Sequence, residues 1–283
     1  MTFWIIQLFN GLSFAMLLFL LAAGLSVVFG VMKVINLAHG SFYLIGGYVA
    51  LSVLSATGSF LLAAAAAVLA GASVAAVLQT AFLRRFYDNE LAQVLLTFGF
   101  LFIIADLCLV VWGGNPQALP KPALLAGSVV FGEIVIPVYR LFVTAVGLLF
   151  AGALWLLFEK TRWGAMARAA VDDPEMCRGL GVNVPVLCTS VFVAGAALAA
   201  FGGFMGGSFV GVYPGADFEI LLYSFVVVII GGLGSLPGAF VGSLIVGLLD
   251  NFGKALFPEL SLFTIFAPMA LLLAVKPTGL FGK

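Results

Sequence analysis

Residues 1–32 read MTFWIIQLFNGLSFAMLLFLLAAGLSVVFGVM, a stretch without one charged side chain. At 1.5 Å per residue such a stretch makes a helix about 48 Å long. The hydrocarbon core of a bilayer is about 30 Å thick and takes roughly 20 apolar residues to cross. A cleaved secretory leader starts with basic residues and has a short apolar centre. This stretch has neither, so it reads as a retained membrane span. The rest of the chain has the same character: 64% of its 283 residues are apolar and 8% are charged, against about 25% charged in an average soluble domain. A surface so poor in charge cannot face water, which excludes a soluble enzyme and a disordered chain. Twelve basic and twelve acidic residues give a net charge of zero, so no basic patch is available to hold nucleic acid. The fold expected is an all-α bundle of about eight or nine transmembrane helices, residues 1–283 forming a single membrane domain.

Charge-poor stretches of spanning length lie near 3–31, 34–55, 60–83, 91–112, 139–158, 186–206, 218–235, 238–252 and 260–275. The pair flanking Gly234–Gly238 is short and glycine-rich, which marks one of them as a candidate broken or re-entrant segment. Taking the polar stretch 159–185 as cytoplasmic and alternating the spans puts Lys33, Arg84, Arg85, Lys160, Arg162, Arg168, Arg178, Lys276 and Lys283 inside. Lys121, Arg140 and Lys254 then fall outside. The positive-inside rule accordingly places the N-terminus outside and the C-terminus in the cytoplasm. Within the outer loop 113–139, the run Ser128–Ile136 is β-rich and broken by Gly132-Glu133, the pattern of a small hairpin at the membrane surface.

Catalytic motifs are missing. The sequence has no HExxH, no GxSxG and no GxxxxGK[ST] phosphate loop, so no catalytic residue is assigned and the chain cannot hydrolyse ATP unaided. Cys108, Cys177 and Cys188 show no CxxC spacing and His39 is the one histidine, so neither a disulfide framework nor a metal centre is expected. The inner loop 159–185 carries the densest charge. Met166–Val171 favours helix, Asp172, Asp173 and Pro174 signal the start of a second helix, and Gly179 and Gly181 close it. A charged helix pair lying across the face is expected, either as a docking element or as an ordinary solvated loop. A second polar signal is Asn36-Leu37-Ala38-His39-Gly40-Ser41 at the head of an apolar run. These groups either line a transport path inside the bundle or cap a helix at the interface. Asp106, well inside a span, is either a partly hydrated carboxylate or a member of a proton relay. Gly202, Gly203, Gly206, Gly207 and Gly211, and the series Gly231, Gly232, Gly234, Gly238, Gly242 and Gly247, provide faces for close helix packing.

Together, Asn36-Leu-Ala-His-Gly40, Thr97-Phe98-Gly99, Arg168-Ala-Ala-Val-Asp-Asp-Pro-Glu175 with Gly179-Leu-Gly-Val-Asn183, and Gly231-Gly-Leu-Gly-Ser-Leu-Pro-Gly238 resemble the permeases of branched-chain amino acid ABC importers, the H-type (LivH-like) subunit above all. The likeness runs in register from about residue 20 to the C-terminus. It implies a bacterial inner-membrane subunit forming half of the translocation path for a small polar solute such as an amino acid. Its partners would be a second permease subunit, related or identical, two cytosolic ATPase subunits and a periplasmic substrate-binding protein. ATP and magnesium would be held by the ATPase subunits, leaving this chain without a cofactor. The resemblance further implies a coupling element in 159–185 that docks on the ATPase, with Arg168, Ala169, Asp172, Asp173, Glu175, Arg178, Gly179 and Gly181 as its residues. Asn36, His39, Gly40, Ser41, Thr97 and Gly99 become residues of the path. Gly231, Gly232, Gly234, Pro237 and Gly238 serve helix packing or a hinge, and the 113–139 loop and Gly206–Asp217 face the binding protein. The alternative is a secondary transporter driven by an ion gradient, for which Asp106 is the candidate relay.

Overall fold

The computed structural model describes residues 2–87 and 89–282; Lys283 lies outside them. Its helices in chain order are α1 (Thr2–Met32), α2 (His39–Thr57), α3 (Phe60–Val77), α4 (Glu90–Trp112), α5 (Val138–Lys160), α6 (Arg162–Asp172), α7 (Pro174–Gly179), α8 (Val184–Gly206), α9 (Ala216–Gly231), α10 (Leu236–Leu256) and α11 (Ser261–Val275). Among the described residues, eight helical stretches are long and apolar enough to cross a membrane. The exception among the nine candidates is α9, whose 16 residues reach about 24 Å, short of a full crossing. The bundle therefore has two faces, called here the elbow face, where α6 and α7 lie, and the hairpin face opposite.

The charge-free helix α1 is the axle. It is buried without a break from Ser13 to Val28 and touches α5, α8, α9 and α10, as befits a helix that is apolar all round. In lipid, burial of apolar surface gives helices no drive to associate, so close packing has to do it. Small residues supply the fit. A Cβ on Gly24 of α1 would lie 2.5 Å from the Gly195 carbonyl of α8, and one on Gly247 of α10 would lie 2.6 Å from the Ala15 Cα. At the elbow-face turn between α9 and α10, Gly231 and Gly238 touch backbone to backbone. The Ser235 hydroxyl accepts from Gly238 N (3.1 Å) and Pro237 occupies the first turn of α10. The backbone N–H groups of Leu280 and Phe281 donate to the Ile230 and Gly231 carbonyls, both at 2.9 Å, satisfying carbonyls at the end of α9 that a helix terminus otherwise leaves open.

On the opposite face, β1 (Ser128–Phe131) and β2 (Ile134–Pro137) pair antiparallel around Gly132-Glu133, the hairpin expected from the sequence. Gly132 sits at φ +62, where a two-residue turn favours glycine. The same loop is stitched to the segment after α8: Gln117 and Val212 exchange backbone hydrogen bonds of 2.9 and 2.7 Å, and Leu119 N donates to Gly207 O at 2.9 Å. Residues 113–137 and 207–215 thus form one continuous surface.

The boundary of the second span departs from the sequence reading. Helix does not begin near 34. Lys33 ends α1 in the left-handed conformation (φ +56), and residues 33–38 run unwound before α2 starts at His39. The His39 ring reaches the Leu21 carbonyl at 3.0 Å, eleven residues or about 16 Å back along α1 from its Met32 end. Gly40 rests on the backbone of Asp217 at the start of α9. Both α2 and α9 therefore begin inside the membrane, back to back, fed by segments entering from opposite faces.

Candidate coupling surface and translocation path

The elbow is built by local capping. Thr161 caps α6, its hydroxyl accepting from Gly164 N (3.2 Å). Gly164 lies against the Leu157 and Phe158 carbonyls with no room for a Cβ, which lets the chain fold sharply off α5. Asp173 caps α7, accepting from Glu175 N (3.0 Å) and Met176 N (2.9 Å), with Pro174 in the first turn. Gly181 at φ +85 ends the helix. The inner side of the pair is apolar: Ala167, Ala170, Cys177, Val184 and Leu187 form a small core, and the Trp163 indole N–H donates to Ser190 Oγ (3.1 Å). The elbow is thus fixed to α8.

Its outer side presents Arg168, Ala169, Asp172, Asp173, Glu175, Arg178, Gly179 and Gly181, all exposed. Arg168 also donates to the Phe158 carbonyl, so it holds α6 to α5 as well as facing outward. Two residues absent from the sequence reading stand among them: Met176 is 62% exposed and Leu180 77%. Their spacing, four apart across the end of a short helix whose intervening Cys177 is buried, was the available signal.

The second cluster gathers at the break before α2. Asn36 Oδ1 accepts from Ala38 N (3.1 Å), and its carbonyl accepts from His39 N (3.3 Å). Leu37 N donates to Thr97 Oγ1 of α4 (3.2 Å), which in turn donates to the Val94 carbonyl (3.0 Å). A carbonyl only accepts, so the His39 nitrogen on Leu21 carries the proton and Nδ1 is left as an acceptor. Asn36, His39, Ser41 and Thr97 are each at most 1% exposed. The structure thus brings together Asn36, His39, Gly40, Ser41 and Thr97. It does not bring Gly99, which lies on the exposed side of α4, where a Cβ would meet nothing within 4 Å.

Asp106 is also on that exposed side of α4, away from the cluster. The carboxylates the fold buries are others: Asp217, 1% exposed, at the start of α9, and Asp250, 2% exposed, on α10. Asp250 accepts from Tyr223 Oη (2.8 Å) and from Lys254 Nζ (2.9 Å). Which face of a helix turns inward is decided by tertiary packing, and depth along an apolar run does not reveal it. Beside the start of α9 the Tyr213 hydroxyl donates to Glu219 Oε2 (2.5 Å). Among the described residues no group of three or more His, Cys, Asp or Glu side chains could hold a metal ion.

Gly231, Gly232, Gly234, Pro237 and Gly238 form the tight turn between α9 and α10. Gly232 and Gly234 adopt φ +104 and +78, and Gly234 rests on Gly30 of α1. The geometry there is that of close packing.

Comparison with known proteins shows the family. Residues 7–275 match the family described as branched-chain amino acid transport system / permease component. The chain is 29% identical to the high-affinity branched-chain amino acid transport system permease protein BraD of Pseudomonas aeruginosa, covering 98% of this chain and 95% of that protein. It is 31% identical to the corresponding permease LivH of Escherichia coli K12, with the same coverage. A probable branched-chain amino acid transport permease LivH of Methanocaldococcus jannaschii is 26% identical over 96% of this chain and 91% of its own length. No solved structure matches. The chain belongs to the family of permease components of branched-chain amino acid transport systems.

Proposed function

We propose that this chain is the H-type permease subunit of an ATP-binding-cassette importer and forms half of the translocation path for a branched-chain or related amino acid. The observation that carries the reading is the elbow: a membrane bundle without a nucleotide-binding loop that fixes a short charged helix, with exposed Met176 and Leu180, on one face. Such a helix suits docking into a groove of a separate ATPase subunit, where apolar anchors ringed by polar residues supply the binding energy. Arg168, Asp172, Asp173, Glu175 and Arg178 then set register and partner choice. Nucleotide and magnesium belong to that partner, and this chain has no catalytic role.

Charge asymmetry supports an orientation with the elbow in the cytoplasm and the N-terminus outside. The surface formed by residues 113–137 and 207–215 then faces the periplasm, placed to receive a substrate-binding protein. A second permease, related or identical, completes the path beside the broken start of α2, where Asn36, His39, Gly40, Ser41 and Thr97 lie. Discontinuous helices with polar groups near mid-membrane are the usual construction of a transport site. Tagged purification from native membranes tests the assignment. An ATPase, a second permease and ATP hydrolysis raised by a binding protein are expected; a chain that purifies alone without nucleotide activity overturns it.

A further inference from the structure

Nine buried side-chain polar atoms have no hydrogen-bond partner among the described residues, and three of them, Ser41 Oγ, Tyr48 Oη and Asp217 Oδ2, lie on α2 and at the start of α9. Their side chains belong to residues exposed by 0, 0 and 1%. Ser41 and Asp217 sit where α2 and α9 begin back to back, and Tyr48 lies farther along α2. Ser41 and Tyr48 are seven residues apart, two turns of one helix, and share a stripe of α2. Asp217 meets that helix at Gly40, and a helical side chain leans toward its own N-terminus. That lean carries the carboxylate along α2 in the direction of Tyr48. The Tyr48 ring is stacked on Trp112 at 5.1 Å between centroids and 16° between planes. Buried polar groups in native proteins are ordinarily satisfied, and an ionisable residue inside a membrane ordinarily has a partner there. Here one carboxylate oxygen and two hydroxyls are left open beside an aromatic wall.

We propose that the α2–α9 junction is a mid-membrane binding site for a primary ammonium group, with Asp217 as its counter-charge, Ser41 and Tyr48 as hydroxyl partners, and the stacked Tyr48–Trp112 pair as its wall. The structure holds this site closed. Its cover is α4, which is largely exposed and packs on the bundle mainly through α2, by Leu37 N to Thr97 Oγ1 and the Trp112 indole to Ser52 Oγ (2.7 Å). Displacing α4 opens the site sideways, with no change needed in the α1 core. Aromatic faces favour cations, and an ammonium has three donors for these three acceptors. The inference deepens the reading of the substrate as an amino acid and rests on it.

The test is ATP-driven uptake of radiolabelled leucine by the complete transporter in proteoliposomes, with the concentration of loaded binding protein varied. D217N is expected to lower the maximal rate about ten-fold or more while the half-saturating concentration of binding protein stays unchanged, because docking occurs elsewhere. D217E is expected to recover part of the rate. Y48F and S41A remove hydroxyls that no protein group uses, so they should assemble normally and slow uptake about three-fold or more. Wild-type uptake matched by undiminished D217N uptake overturns this inference alone. If D217N fails to assemble, Y48F and S41A decide, and wild-type rates for both overturn it. A wild-type transporter that moves neither leucine nor any other α-amino acid defeats the substrate reading itself, and the site with it.

Discussion

Truncating the two exposed apolar side chains on and just after α7, Met176 and Leu180, gives the sharpest quantitative expectation. Fully burying a leucine or methionine side chain is worth about 1.5–3 kcal/mol. Met176 and Leu180 are 62% and 77% exposed, and alanine keeps the Cβ of each. Docking in an apolar groove would bury what is now exposed, so the loss for M176A/L180A together is about 1.5–3 kcal/mol. At 1.4 kcal/mol per factor of ten, the ATPase subunit should bind about 10- to 150-fold more weakly. Neither side chain contributes to the small core under α6 and α7, so the thermal midpoint of the isolated permease should not move. The assay is titration of detergent-solubilised or nanodisc-embedded permease with its labelled ATPase subunit, paired with a melting curve. Unchanged affinity refutes the argument that this helix anchors the ATPase. A lowered melting point with unchanged affinity would show that the two side chains serve the fold instead.

Other perturbations separate structure from coupling. D173A removes the cap shared by Glu175 N and Met176 N, a loss of about 1 kcal/mol for α7; substrate-stimulated ATP hydrolysis should fall while circular dichroism of the bundle is preserved. T97V leaves Leu37 N without its acceptor inside the bundle, costing about 1–3 kcal/mol and lowering the melting midpoint, whereas G99A, on the open side of α4, should stay within about 0.5 kcal/mol of wild type. G24V forces side-chain atoms into the Gly195 backbone and should cost about 1–3 kcal/mol or more, seen as reduced yield and earlier melting.

Much of this was legible in the sequence where chemistry is local. The charge-free first 32 residues announce a buried span, Gly132-Glu133 between β-rich halves announces the hairpin, and Asp173-Pro174 announces the start of α7. Each signal is carried by a few neighbouring residues. The break at 33–38 was hidden because the apolar pattern continues through Val34, Ile35 and Leu37; its local marks, Lys33, Asn36, His39, Gly40 and Ser41, suit an ordinary cap equally well. The half-depth start of α9 was hidden for a related reason. Apart from Glu219, residues 218–235 carry no charge, and only contact with Gly40 shows where Asp217 sits. Asp106 drew notice by its depth in the sequence and proved to be on an exposed face, while Asp217 and Asp250 are buried. Facing is a property of the packed bundle, and no single helix encodes it.

Energy source is the most direct test of the central claim. The complete transporter in proteoliposomes is given labelled leucine and its binding protein, with ATP and no ion gradient, or with an imposed proton or sodium gradient and no ATP. Uptake that requires ATP and the ATPase subunit, and ignores the gradient, is the result predicted by a permease worked through its α6–α7 elbow. Uptake that follows the gradient without ATP would contradict it and make this chain an ion-driven carrier.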